Sequence, residues 1–338
     1  MRIFECRDTP IQIFGLPYVA GSSLMRLPES IMAQFPHIRQ FGSRSTGGRV
    51  CFRTNSKTLW VRLIAKTFIR DYAIPQISSS GLDVYAGPRP DGRFLGSVFP
   101  TGARGTDLNR SEAVFTLDGT MQDITVFLPK NEVIDQIFFG IDDDAVMEAP
   151  TPYRNPLPVI FYGSSITEGG CASRTGNTYI AFLSRWLNMD YINFGFSGSA
   201  RGEAEIARFI ASMPMSVFVY DYDYNAPTVE HLAETHEPFF RIIRERHPEL
   251  PVIMLSRPNY ASDPAESEQR AAIIRRTYEN ARGRGDRNVY FICGKDYFTG
   301  TDVHACTVDR THPNDLGFYL MAKKIREVLE PLLPGNPL

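Results

Sequence analysis

Up to about residue 150 the hydrophobic positions come in short bursts divided by turn residues. Val50-Cys-Phe-Arg-Thr54 and Leu59-Trp-Val-Arg-Leu-Ile-Ala65 flank the polar Asn55-Ser-Lys57. Leu82-Asp-Val-Tyr-Ala86 and Phe94-Leu-Gly-Ser-Val-Phe99 flank Gly87-Pro-Arg-Pro-Asp-Gly92, a hairpin signal. Ala113-Val-Phe-Thr-Leu117, Asp123-Ile-Thr-Val-Phe-Leu-Pro129 and Gln136-Ile-Phe-Phe-Gly-Ile141 continue the series. Short β-branched and aromatic runs bounded by Gly, Pro and Asn read as strands, and a series of them predicts an all-β sandwich or jelly-roll. Residues 28–35 are the exception, with a helical turn or two.

Asp142-Asp-Asp144 breaks this rhythm, and the stretch from Glu148 to Pro158 holds four prolines in eleven residues. Such a segment is stiff and extended, so the reading divides the chain into 1–150, a β-sandwich accessory domain, and 151–338. In the second part apolar runs of strand length recur at 158–162, 191–194, 216–220, 251–255 and 288–293. Helical patterns lie between them at 178–187, 203–213, 228–246 and 265–282, and a last one spans 314–332. Strand alternating with helix predicts a doubly wound α/β domain with a parallel sheet. Ligands in such sheets bind at the carboxyl ends of the strands, so each polar cluster just after an apolar run is a candidate site.

Length agrees with two domains, at 338 residues. A net charge of -2 gives no electrostatic footprint for nucleic acid or an anionic membrane. No run spans a bilayer, and the first residues lack a secretory h-region. Five scattered cysteines without a C-x-x-C pair fit reduced thiols, and the expected compartment is cytoplasmic. The oligomeric state is not legible, which leaves room for a homo-oligomer.

Four clusters follow strands. In Gly163-Ser-Ser-Ile-Thr167 a serine at a strand-to-helix turn is either a cap or a nucleophile whose adduct the free backbone N–H groups stabilise. The elbow G-x-S-x-G is not met, because Thr167 stands at the last glycine position. Asn193-Phe-Gly-Phe-Ser-Gly-Ser-Ala-Arg-Gly202 is glycine-rich without the dinucleotide spacing. Tyr220-Asp-Tyr-Asp-Tyr-Asn-Ala-Pro227 alternates polar and aromatic residues, with Asn225 placed to aim an amide into a site or simply to shape a turn. In Val308-Asp-Arg-Thr-His-Pro-Asn-Asp315 the Asp309 carboxylate is near enough to orient His312 as a general base, while Asn314 is positioned as a helix cap. His231, His236 and His247 fall in one helical stretch and are expected at the surface or half-buried.

Ser, Gly, Asn and Asp-x-x-His, each after a successive strand, together resemble the SGNH (GDSL-type) hydrolase superfamily over roughly residues 157–332. Gly163-Ser-Ser-Ile-Thr167 is similar to its Gly-Asp-Ser-hydrophobic-Thr block, with Ser164 in place of Asp. Asp223-Tyr-Asn-Ala226 keeps the asparagine of Gly-x-Asn-Asp and loses its neighbours, and Asp309-Arg-Thr-His-Pro313 is intact. Gly81-Leu-Asp-Val-Tyr85 resembles the Gly-x-Asp-Leu-Tyr signature of the small β-sandwich that precedes a subgroup of these enzymes. The resemblance implies a flavodoxin-like sheet, Ser165 as nucleophile, His312 as base, Asp309 as its partner, and an oxyanion hole from Ser165, Gly198 and Asn225. It implies no metal and no organic cofactor. The expected partner is a small-molecule or oligosaccharide ester, and the expected activity is removal of acetyl groups from sugars. Tyr222 and Tyr224 are candidate stacking residues, and Asp83 and Tyr85 candidate substrate contacts or turn braces. A lipid or thioester hydrolase and a non-catalytic carbohydrate-binding protein are the alternatives, with a metal site of Asp302, His304, Cys306, Asp309 and His312 as a third.

Overall fold

The computed structural model describes residues 1–21, 23–101, 107–300 and 302–334. They form two compact units, one of Met1–Arg154 with Ala172–Ile192 and one of Asn155–Cys171 with Asn193–Leu338. In chain order the first strands are β1 (Arg2–Glu5), β2 (Gln12–Phe14), β3 (Tyr18–Ala20), β4 (Ser23–Met25), β5 (Arg49–Thr54) and β6 (Thr58–Ala65). β7 (Leu82–Ala86), β8 (Arg93–Val98), β9 (Arg110–Thr116), β10 (Gln122–Phe127), β11 (Ile134–Ile141) and β12 (Met147–Glu148) follow. The later strands are β13 (Asn155–Gly163), β14 (Met189–Gly195), β15 (Val217–Asp221), β16 (Val252–Leu255) and β17 (Val289–Ile292). The helices are α1 (Glu29–Gln34), α2 (Pro36–Gly42), α3 (Gln76–Ser80), α4 (Ser165–Glu168) and α5 (Tyr179–Leu187). After them come α6 (Ala204–Ala211), α7 (Val229–Arg246), α8 (Pro264–Gly283) and α9 (Asp315–Leu329).

The first unit holds two large antiparallel sheets, ordered β1-β11-β6-β9 and β12-β5-β10-β7-β8, with β2 also paired to β5, and a small β3-β4 pair. Along β6 every second residue is buried, Leu59, Val61, Leu63 and Ala65, as the pleat requires of a strand covered on one face. Val50 and Phe52 of β5 and Ile124 and Val126 of β10 share one apolar core with them, so the two sheets make a sandwich. All seven strands expected in this part are present, and α1 occupies the expected helical turn. β1 to β4, β12, α2 and α3 were not anticipated, being too short for a period to emerge.

Residues 172–192 also belong to this unit, although α5 follows the α/β rhythm in sequence. Arg49, wholly buried at the start of β5, explains the attachment. It pairs with Asp190, donates to the Tyr191 carbonyl at 2.9 Å, and lies 3.7 Å over the Tyr191 ring. A buried guanidinium tolerates desolvation only with such partners.

The parallel sheet has the order β14-β13-β15-β16-β17, in which β13, β15, β16 and β17 of the second unit pair in parallel. β15 and β16 are buried through their length, hence their unbroken apolar runs. Strand order 2-1-3-4-5 is flavodoxin-like, and in such sheets ligands bind at the carboxyl ends where the order reverses. Thr228, Asp263 and Asn314 cap α7, α8 and α9 with their side chains. None of the helices among the described residues is long and apolar enough to cross a membrane.

His236 corrects the expectation of a surface or half-buried position. It is 1% exposed, its ring stacks on Tyr220 at 4.5 Å, and Nδ1 lies 2.8 Å from Thr277 Oγ1. His231 and His247 are half-buried.

Two expectations follow. Arg49→Met leaves the half-buried Asp190 without its counter-charge and should cost up to about 3–5 kcal/mol by urea unfolding; adding Asp190→Asn should recover part of that loss. Burial pushes the His236 imidazole from 6.5 down to about 3. The unfolded chain therefore binds an extra proton between those values, so this residue lowers stability as pH falls through that window. In His236→Met the urea midpoint should vary less steeply with pH there; an unchanged slope would contradict the assignment.

Candidate active site

β13 ends at Gly163, which stands opposite Asp221 of β15. A Cβ on Gly163 would lie 2.2 Å from Thr167 Oγ1 and 2.3 Å from the Asp221 carbonyl oxygen, so only glycine fits. Ser164 N–H donates to that same carbonyl at 3.1 Å. Its hydroxyl then accepts from Ile166 N–H at 3.1 Å, which makes Ser164 the N-cap of α4. Ser165 is the first residue of this single turn, and Gly169, at φ 101°, ends it.

Ser165 Oγ lies 2.7 Å from His312 Nε2, and His312 Nδ1 lies 2.7 Å from Asp309 Oδ2. The other carboxylate oxygen accepts from the His312 and Thr311 N–H groups at 2.7 and 3.0 Å. Burial raises the Asp309 pKa, but those N–H groups and the imidazole outweigh it and hold the carboxyl below its usual value. The loop is fastened on both sides. Val308 N–H donates to the His312 carbonyl at 2.9 Å, and Asn314 caps α9 at 3.2 Å. Arg310 adopts the left-handed conformation, its carbonyl accepts from Asn259, and its guanidinium donates to the Ser262 carbonyl at 3.0 Å.

The loop after β14 packs directly on the serine turn. Phe196 N–H donates to the Gly163 carbonyl at 2.8 Å, and a Cβ on Gly195 would sit 2.3 Å from the Glu168 nitrogen. Gly198, at φ 63°, is exposed on this loop. Asn225, in the turn after β15, donates from Nδ2 to the Phe196 carbonyl at 2.8 Å, which ties it to the Gly198 loop. An amide nitrogen has two hydrogens, so one remains. Among the described residues, the Ser165 and Gly198 N–H groups have no internal acceptor.

The other candidates are placed differently. Tyr222 is 2% exposed, its hydroxyl is 2.8 Å from Thr235 Oγ1, and its ring lies in the stack with Tyr220 and His236. It is core and cannot stack on a substrate. Tyr224 is half-buried with the Arg257 guanidinium 4.4 Å over its ring. Asp83 is wholly buried in the first unit, where it accepts from Arg174 Nη1 at 2.9 Å and Gly176 N–H at 2.8 Å. Tyr85 hydroxyl accepts from the same Arg174 nitrogen at 2.7 Å. These two residues brace the turn before α5, which is the structural alternative to substrate contact. Asp302, His304 and Cys306 form no metal cluster with Asp309 and His312 among the described residues.

Glu168 was missed by sequence reasoning. It is buried at the end of α4, and Oε2 accepts from Ser197 N–H at 3.3 Å, which joins the serine turn to the Gly198 loop. An acid set directly before Gly169-Gly170 in a buried turn was the available signal. Asp221 is a second. Burial, reinforced by the neighbouring Asp223, pushes its carboxyl well above the ordinary value.

Residues 157–330 match the GDSL-like lipase/acylhydrolase family, and residues 5–147 match the N-terminus of SGNH-hydrolase-type esterases. The chain belongs to the GDSL-like lipase/acylhydrolase family. No curated protein matches it. Among solved structures it is similar to a protein of Bacteroides ovatus ATCC 8483 described as a GDSL-like lipase, at 26% identity and TM-score 0.84, covering 98% of this chain and 97% of that one. A salicylyl-acyltransferase from a tetracycline biosynthetic pathway aligns at 20% identity and TM-score 0.79, over 98% and 97% of the two chains. An acetyl xylan esterase from the rumen bacterium Butyrivibrio proteoclasticus aligns at 14% identity and TM-score 0.61, over 98% of each. The last two likenesses concern the fold.

As a GDSL-like acylhydrolase the protein is a carboxylic ester hydrolase, with a serine where the family's first block usually has aspartate. The cap explains that substitution, since either side chain accepts a hydrogen bond from the helix. Ser164→Ala should therefore lower stability by about 1 kcal/mol in urea while p-nitrophenyl acetate turnover stays within a few-fold. Unchanged stability with turnover abolished would make Ser164 a chemical participant instead.

Proposed function

We propose that this acylhydrolase removes short acyl groups, acetyl foremost, from acetylated sugars or oligosaccharides through an acyl-enzyme on Ser165. The observation that supports the chemistry best is the unbroken relay from Ser165 Oγ through His312 to Asp309, with 2.7 Å at each step. His312 Nε2 takes the hydroxyl proton as Oγ attacks the ester carbonyl, and Asp309 steadies the imidazolium that forms. The carbonyl oxygen becomes an oxyanion facing the Ser165 and Gly198 N–H groups and the free hydrogen of Asn225 Nδ2. Collapse expels the sugar alcohol, which takes its proton from His312. Water, deprotonated by the same histidine, then attacks the acyl-enzyme and releases the carboxylic acid. Every proton is accounted for by the side chains and water, so the cycle needs no cofactor.

The substrate class rests on kinship. The two-domain arrangement with the β-sandwich is that of SGNH-type esterases, and acetyl xylan is the substrate named for one structural neighbour. Five cysteines scattered along the chain, with no C-x-x-C pair, favour a reducing, cytoplasmic setting, where oligosaccharides rather than intact polymers are the accessible esters.

The test is acetate release from acetylated xylo-, manno- and pectin-type oligosaccharides, with wild type set against Ser165→Ala. Loss on the order of 10³-fold or more in the variant is expected. A panel of p-nitrophenyl esters should favour acetate. Preference for chains of eight carbons or longer would overturn the deacetylase reading, and equal turnover by Ser165→Ala would overturn the nucleophile.

A further inference from the structure

Asn225 donates to the oxyanion only if its amide is held still, and the Tyr222–Ala226 turn that carries it is short. Its own backbone supplies Asn225 N–H and Ala226 N–H to the Tyr222 carbonyl, at 2.9 and 3.2 Å. Asn225 Nδ2 is tied to the Phe196 carbonyl at 2.8 Å, and further support for the turn comes from a largely buried cluster of charges that no step of the reaction uses. Asp223, two residues before Asn225, is 1% exposed. Its Oδ2 accepts from Arg257 N–H at 2.9 Å and its Oδ1 from Arg257 Nε at 3.2 Å. Arg257, 5% exposed, stands just after β16 and lays its guanidinium over Tyr224. Arg270 of α8, 4% exposed, sends Nη1 to the Asp223 carbonyl at 2.5 Å and Nη2 to the Ala226 carbonyl at 3.1 Å. One planar fork thus grips the backbone on either side of Asn225. Glu266 completes the set, 2.7 Å from Arg270 Nε and 3.7 Å from Arg257 Nη2.

Two carboxylates and two guanidiniums leave the cluster neutral. Buried ion pairs are poor sources of net stability, because desolvation cancels most of their attraction. What they supply is a fixed geometry, and a guanidinium fork fixes it in two directions where an ammonium fixes a point. Position 223 is also where this chain replaces the glycine of the family's Gly-x-Asn-Asp block.

We propose that Asp223, Arg257 and Arg270 are positioning residues that preorganise the Asn225 amide for the oxyanion. This rests on the oxyanion role of Asn225 argued above. The cluster touches neither the substrate nor the reacting atoms and acts through Asn225 alone. Its effect therefore belongs to kcat and disappears when the Asn225 amide is gone.

The experiment is a double-mutant cycle on the full chain with p-nitrophenyl acetate, joining Arg270→Lys to Asn225→Ala. Arg270→Lys keeps the charge and loses the fork. Asn225→Ala should lower kcat on the order of 10²-fold, and Arg270→Lys should lower it at least about 10-fold with KM little changed, since misplacement by about 1 Å is costly. In the Asn225→Ala background Arg270→Lys should change kcat less than about two-fold, because the group it positions is absent. Equal factors in both backgrounds, or wild-type kcat in Arg270→Lys, would overturn the proposal. If Arg270→Lys does not fold, Asp223→Asn takes its place in the cycle, where the same kcat pattern supports the proposal and equal factors overturn it. Wild-type kcat in Asn225→Ala would instead sink the oxyanion assignment, and wild-type activity in Ser165→Ala the esterase mechanism, so each failure has its own signature.

Discussion

The catalytic unit depends on the closeness with which β13 and β15 end side by side. Gly163 faces Asp221 with no room for a single additional carbon. The chain turns directly after that contact. The Asp221 carbonyl takes Ser164 N–H, the Ser164 hydroxyl takes Ile166 N–H, and Ser165 is left at the head of α4 with its own N–H unspent. The place of Ser165 at the head of α4, with a free N–H, thus follows from one close contact and two hydrogen bonds. Glu168 and the Gly163 carbonyl then hold the Gly198 loop against the same turn.

Backbone contacts recur as the means of support around this site. Asp309 takes two N–H groups of its own loop as well as the imidazole, so its geometry survives whatever proton His312 carries. Arg270 grips carbonyls, and so does Asn225 itself. In the first unit Asp83 and Tyr85 do the same work for the turn before α5, with Arg174 as the intermediary. The Gly-x-Asp-Leu-Tyr-like signature is accordingly a structural device, and its conspicuous polar residues are spoken for.

Much of this was legible in the chain, for identifiable reasons. β6 alternates because one face is covered, and β13 does not because both are; each pattern betrays its surroundings. Asp309 and His312 sit in one loop, so their partnership is visible at a spacing of three. Ser165 was visible only through the order of the blocks behind it, because its own neighbourhood suits a cap equally well, and Ser164 proves to be that cap. The failures share a cause. Tyr222 alternates with acids and was a candidate to stack on a sugar ring, yet its direction is set by α7, where His236 and Thr235 receive it. Arg257 and Arg270 lie 34 and 47 residues beyond Asp223, and no local pattern announces such a meeting. The same is true of the link between Arg49 and Asp190.

That last link has a bearing on how the protein is made. Neither unit is a continuous stretch of chain, since residues 172–192 complete the first after the second has begun. Arg49 leaves the ribosome 141 residues ahead of Asp190, and Asp83 91 residues ahead of Arg174. A nascent chain stalled at residue 154 holds β1 through β12 but a buried cation with no counter-ion. Its N-terminal half is therefore unfinished until the Ser165 turn has already emerged, and no single cut between the halves yields two whole parts.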